Sequence, residues 1–248
     1  MPRRTQEAPM TIIGTAQQYE HAVERLASEF DAVFTRDEVA RELHAVREDM
    51  EATARVRDHI PVLAERYAKE NLQALAHARG ATVTGHPVVM FVSPRNASAT
   101  QMAAVMTDKY SGGRIHVLSG GVRRAEEIAP AVIQVMQEHG IDTTTLYPRA
   151  VNRDVLHAAD VVVSIASPDL GEDFTAKQHV DWHITLDEDD VESVRATRDE
   201  LKVRVDALIE SLLGEGSVLS AEEAAAYQAT KQGSRTQAPT TAREAQPA

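Results

Sequence analysis

Residues 93–102 read Ser-Pro-Arg-Asn-Ala-Ser-Ala-Thr-Gln-Met, directly after the apolar run Val88–Val92. In an open parallel sheet, a polar loop between a strand and a helix gathers unpaired backbone N–H groups, which favour negative charge. Arg95, Asn96, Ser98 and Thr100 add side-chain donors, so the chemistry available is the binding of a small anion. Ser93 opens the loop, and a serine hydroxyl attacks only with a base beside it. Pro94 and Arg95 are not bases. The chain has no cysteine, which removes disulfides, thiolate metal sites and every cysteine-based mechanism.

Two other charged groups invite a functional reading. His179, Asp181, His183 and Asp187 are rich in metal-ligand types, yet their spacing suits no helical face, and the run reads as solvated with no metal. Arg123-Arg124 precede Glu126-Glu127 and read as a solvent-exposed charge cluster. With 26 basic and 38 acidic residues the net charge is −12, which disfavours nucleic acid, since phosphate contacts need clustered Lys and Arg. No stretch approaches the roughly 20 apolar residues of a membrane helix, and no secretory signal pattern opens the chain. A cytoplasmic protein without a cofactor is expected.

The elements that must position the loop follow from periodicity. Residues 1–14 read as a flexible leader. Thr15 with Gln18 predicts a capping box, followed by Tyr19, Val23, Leu26 and Phe30 on one face. Thr35 with Glu38 repeats the signal before Val39, Leu43, Val46 and Met50. A third helix is predicted over 58–78, with Pro61 in its first turn. This three-helix unit, residues 15–80, is of a size often completed by a second chain. After a linker at 80–87, strands and helices alternate. Strands are expected at 88–92, 115–118, 161–165 and 183–186, and helices at 100–109, 125–139, 151–158 and 191–213. The βαβ alternation predicts a four-stranded parallel, doubly wound α/β sheet over 81–214. Residues 215–248 read as a disordered tail, with a weak helix over 221–230 as the alternative.

An ordered series of short motifs resembles the low-molecular-weight tyrosine phosphatase/arsenate reductase family, and within it an actinobacterial arsenate reductase branch. The series comprises Phe91-Val92, Asn96-Ala97, Thr100-Gln101-Met102-Ala103-Ala104, Leu118-Ser119-Gly120-Gly121, Ile128-Ala129-Pro130-Ala131-Val132 and Gly140-Ile141-Asp142. It continues through Tyr147-Pro148-Arg149, Ala158-Ala159-Asp160-Val161-Val162-Val163 and Asp181-Trp182, so the likeness spans about 82–213. Ahead of it, Ala54-Arg55-Val56-Arg57 and Pro61-Val62-Leu63-Ala64-Glu65-Arg66 resemble the dimerisation module that some of these proteins carry. The resemblance implies a Cys-x5-Arg loop in which the thiolate attacks and the guanidinium clamps the oxyanion. In this chain those positions hold Ser93 and Ala99, and the loop glycine is replaced by Ser98. The family's general acid falls at Leu186, with Asp187 one place later as a vestigial candidate. A second cysteine for an internal disulfide would lie in 164–168, which holds serines only.

The combined reading is a catalytically inactive phosphatase/arsenate reductase-like protein. It would act as a binding or regulatory protein, as a homodimer or as a heterodimer with an intact relative through residues 15–80. The alternatives are an active phosphatase or reductase with a non-standard nucleophile, and a sensor of phosphate, arsenate or a similar oxyanion.

Overall fold

A computed structural model describes residues 10–52, 60–81, 85–141, 143, 146–172 and 174–236. In chain order the elements are α1 (Met10–Glu29), α2 (Arg36–Glu51), α3 (Ile60–Ala78), β1 (Val88–Ser93), α4 (Ala99–Ser111), β2 (His116–Gly121), α5 (Pro130–Glu138), α6 (Arg153–Ala158), β3 (Val161–Ile165), β4 (Gln178–Trp182), α7 (Val191–Leu213) and α8 (Ala221–Thr236). The four strands form one parallel sheet in the order β2-β1-β3-β4. Every residue of β1 and β3 is buried, as continuous apolar runs require when helices cover both faces of a sheet.

Alternate residues of β1 feed two separate cores. Val89 and Phe91 point to α4, α5 and α7, meeting Met102, Val132 and Leu201. Val88, Met90 and Val92 point the other way, to Val155 and Leu156 of α6 and to Ala74 of α3. The third helix of the leading unit therefore also covers the sheet. Its opposite side joins α1 and α2 in a core of Tyr19, Leu26, Phe30, Val39, Leu43 and Leu72. Thr35 caps α2 through the expected reciprocal box with Glu38.

Polar contacts tie the helical unit to the sheet domain. Arg124, with a side chain only 9% exposed, pairs with Asp49 at 2.8 Å. Arg149 pairs with Glu70 at 2.9 Å, His77 lies 2.8 Å from Asp160, and Asn152 donates to Glu42. Burial pushes the Glu42 carboxyl above its ordinary range. The solvated reading of Arg123-Arg124 therefore holds for exposed Arg123 and fails for Arg124, because Asp49 on α2 arrives only through tertiary packing.

Several boundaries differ from the pattern. Thr15 lies within α1, which already runs from Met10, so it caps nothing and the helix occupies part of the expected leader. Residues 125–129 are not helical, and Pro130 opens α5, since proline lacks the N–H that a helix interior needs. The fourth strand is Gln178–Trp182, mostly solvent-facing, and not 183–186. An edge strand with one open side carries polar residues that hide its signal. Beyond Gly214 the chain packs on the end of α4: Leu219, just ahead of α8, lies against Gly112, and Tyr227 of α8 lies against Gly113. The expected disorder thus fails over 221–236, where the chain finds a partner surface. Residues 1–9, 237–248, the Ala54–Arg57 motif and Asp142 fall outside the described residues.

Leu201 is fully buried where α7 meets the sheet. Leu201→Ala is expected to destabilise the protein by about 2–5 kcal/mol, read as a lower urea midpoint at unchanged slope.

Candidate functional site

The loop of residues 94–98 joins β1 to α4 at the carboxyl end of the sheet, as the strand–loop–helix pattern required. Its carbonyls are bound along their length by the segment after β2. Val122 N–H donates to Ser93 O, Arg123 N–H to Pro94 O, Ala125 N–H to Arg95 O and Ala129 N–H to Ala97 O, at 2.8–3.2 Å. Gly121 makes this close approach feasible. A Cβ there would lie 2.8 Å from the Arg95 carbonyl carbon and 2.9 Å from its oxygen.

Position 96 makes the turn. Asn96 is fully buried with φ 54°, a left-handed conformation that asparagine tolerates better than most residues. Its N–H donates to Ser93 Oγ at 2.9 Å, and its carbonyl accepts from Gln101 Nε2 at 3.1 Å. The same Gln101 amide reaches Tyr147 O at 3.2 Å, which fastens the start of α4 to the Tyr147–Arg149 segment. Gln101 is a positioning residue that the loop's sequence did not disclose by type alone. The Asn96 side-chain oxygen is buried without a partner and its amide nitrogen donates to Arg149 O only at a long 3.5 Å, so what this position chiefly supplies is its backbone turn.

The chemical groups come together differently from the sequence reading. Ser93 is 8% exposed, and its hydroxyl meets the Asn96 N–H and the Thr100 hydroxyl at 3.1 Å. Neither partner can take its proton. Ala99 offers neither charge nor donor. Ser98 is the N-cap of α4 by position, since its carbonyl accepts from Gln101 and Met102, but its side chain makes no cap bond. Instead Ser98 Oγ donates to Glu188 Oε1 at 2.7 Å, while Arg95 Nη1 lies 3.6 Å from Glu188 Oε2.

Glu188 was missed. Asp187, the candidate acid, is exposed and turned away: its carboxylate accepts from Asp189 N–H at 3.1 Å and its own N–H donates to Ser193 Oγ. Leu186 and Glu188 both line the small cavity of about 170 Å³ beside the loop, with Ile165, Ala166 and Ile184. The spacing of two between Leu186 and Glu188 carried the signal, masked by the uninterrupted acidic run 187–190. Of the His/Asp run, His179 Nε2 sits 2.9 Å from Ser164 Oγ, and Asp181 also bonds Ser164. No group of three or more His, Asp or Glu side chains converges among the described residues. Trp182 is buried against Phe91, with ring centroids 5.6 Å apart, as a packing residue.

The arrangement is a rigid anion-loop shape whose inward hydroxyls are occupied by each other and by a carboxylate of the same chain. Comparison with known proteins accounts for that shape. A family model described as low molecular weight phosphotyrosine protein phosphatase matches residues 88–181, and one described as protein-tyrosine-phosphatase-like, N-terminal domain, matches 19–76. A putative arsenate reductase of Halobacterium salinarum is 31% identical over 123 residues, covering 46% of this chain and 85% of that protein. The chain belongs to the low-molecular-weight phosphatase/arsenate reductase family. Another family member, arsenate reductase 1 of Bacillus cereus, is 35% identical over 77 residues, 31% of this chain and 57% of that protein. The structure of the Corynebacterium glutamicum thioredoxin-dependent arsenate reductase superposes with a TM-score of 0.69 at 28% identity, covering 79% of this chain and 96% of that one. That breadth joins the helical unit and the sheet domain in one family architecture.

If position 96 supplies only its turn, Asn96→Gly should be nearly neutral. Asn96→Ala should cost about 1–2 kcal/mol more, the strain of a left-handed alanine, as read by chemical denaturation of the two variants.

Proposed function

We propose that this protein is a catalytically inactive family member that works as a dimeric binding or regulatory protein. The observation that carries the reading is the Glu188 carboxylate on Ser98, at a loop whose nucleophile and clamp positions hold Ser93 and Ala99. The family reaction needs an attacker ionised near neutral pH and a guanidinium for the oxyanion. A serine bonded to a peptide N–H and a threonine hydroxyl is neither ionised nor served by a base. The relatives are named arsenate reductases. Arsenate reduction through a thiol cannot run on a chain that holds no cysteine.

Electrostatics also weighs against the oxyanion-sensor reading. A second anion about 4 Å from Glu188 would meet roughly 1 kcal/mol of repulsion in water-like surroundings and about 4 kcal/mol at an effective dielectric of 20. Arg95 offsets little of this, because its side chain is 63% exposed and already faces Glu188. The helical unit supports the partner role: it is a defined three-helix layer, matched by its own family model, with Val62 of α3 72% exposed. The partner is a second copy or a catalytically intact relative, met through residues 15–80. Among the described residues no helix is long and apolar enough to cross a membrane.

Four measurements test the proposal. A chromogenic aryl phosphate should not be turned over, and phosphate or arsenate should give no saturable heat in titration calorimetry. Turnover lost on Ser93→Ala would replace the proposal with an enzyme, and saturable oxyanion binding would replace it with a sensor. Ser93→Cys with Ala99→Arg should remain inactive, with hydrolysis emerging only when Ser98→Gly and Glu188→Gln are added. Activity of the double variant alone would show that Ser98 and Glu188 do not block the loop. Size-exclusion chromatography should give a dimer, alone or mixed with an intact relative, and a monomer under both conditions would remove the regulatory-partner role.

A further inference from the structure

A cavity of about 360 Å³ lies between α3, the outer side of β2, α4 and α8. That volume lies within the range of small-molecule sites. Its lining is mixed: Val105, Ile115, Val117 and Leu146 are apolar, and Arg66, Glu70, Asp108, Arg149 and Lys231 carry charge.

Those charges do not balance. Arg66 and Arg149 share one carboxylate: Arg66 Nε reaches Glu70 Oε1 and Arg149 Nη1 reaches Glu70 Oε2, both at 2.9 Å. Lys231 pairs with Asp108, which also accepts from the Tyr227 hydroxyl at 3.1 Å. Glu70 and Asp108 are the only carboxylates on the lining, against three full cations. His116 does not add to the balance. Burial holds its imidazole below the usual histidine range, and its Nε2–H donates to the Glu70 carbonyl at 2.7 Å. Burial alone would push the Glu70 carboxyl up, but Arg149 and Arg66 outweigh it and hold it below the ordinary carboxylate range. Glu70 is therefore already ionised, with no further negative charge to give.

The shortfall is visible at one atom. Arg66 Nη1 is shut off from solvent and has no acceptor. A buried charged donor without a partner costs more than a neutral one, and such groups mark places where an acceptor belongs. An anion carrying one negative charge beside the guanidinium, whose side chain is still 34% exposed, would balance the three cations.

We propose that this cavity binds a small organic acid, its carboxylate on the Arg66 guanidinium and its apolar body against Val105, Ile115 and Leu146. The site borders the loop after β1 through Gln101 and Tyr147, and α8 supplies one of its sides through Tyr227 and Lys231. An arginine fork suits a planar carboxylate, and the apolar wall favours a carbon body over a compact, fully hydrated oxyanion.

The test uses the full chain and amide NMR, with benzoate, phenylacetate and hexanoate as probes. Benzyl alcohol and 1-hexanol are the neutral controls, and inorganic phosphate is the compact anion. At least one carboxylate should bind saturably with shifts at the Val117 and Ser119 amides, about tenfold more tightly than the alcohol of matching body. Arg66→Gln should lose that preference while its near-ultraviolet circular dichroism stays unchanged. Val105→Phe, which adds bulk to the apolar side, should weaken every probe. The proposal is overturned if no carboxylate saturates, if the alcohols bind equally well, if binding survives Arg66→Gln, or if phosphate alone binds.

Discussion

A loop shaped to surround an anion has to satisfy its inward polar groups, and this chain does so from its own atoms. The Asn96 N–H goes to Ser93 Oγ, the Ser93 hydroxyl to Thr100, and the Ser98 hydroxyl to Glu188. Buried donors left unpaired cost on the order of 1–3 kcal/mol each. Once the thiolate and guanidinium positions hold Ser93 and Ala99, internal pairing is what keeps this turn stable. The carbonyls on the other side of the loop are held by four N–H groups of residues 122–129, so the shape persists although the reactive groups differ.

That scaffold reaches beyond the loop. Gln101 bonds both Asn96 O and Tyr147 O, Arg124 near the loop carbonyls pairs with Asp49, and Arg149 pairs with Glu70. The helical unit is thus fastened to the segments that fasten the loop. Its third helix faces two ways, closing the leading core with Leu72 and covering the sheet with Ala74. The packing that supports the loop does not depend on the loop's chemistry.

The sheet was legible because β1 and β3 are buried on both faces and must be apolar throughout. Helix α2 was legible because a strong cap, Thr35 with Glu38, stands at its start. The edge strand β4 was not, since one open side lets polar residues stand where a core strand would show valines. The start of α5 was read too early because Ala125 and Ile128 are buried by packing against the loop and not by a helical face.

For the site, residue types alone settled one exclusion: with no cysteine among its 248 residues, the chain cannot supply a thiolate, whatever its fold. The candidate acid illustrates the opposite case. Asp187 and Glu188 are adjacent carboxylates of similar pattern, and only the course of the chain from β4 to α7 turns one outward and aims the other at Ser98. The same holds for Arg124 and for Arg66, whose neighbours come from helices and strands distant in sequence. Local composition dictates which chemistry a chain can supply. Which groups meet, and which charge is left without a counterpart, is set by long-range packing that no short window of residues contains.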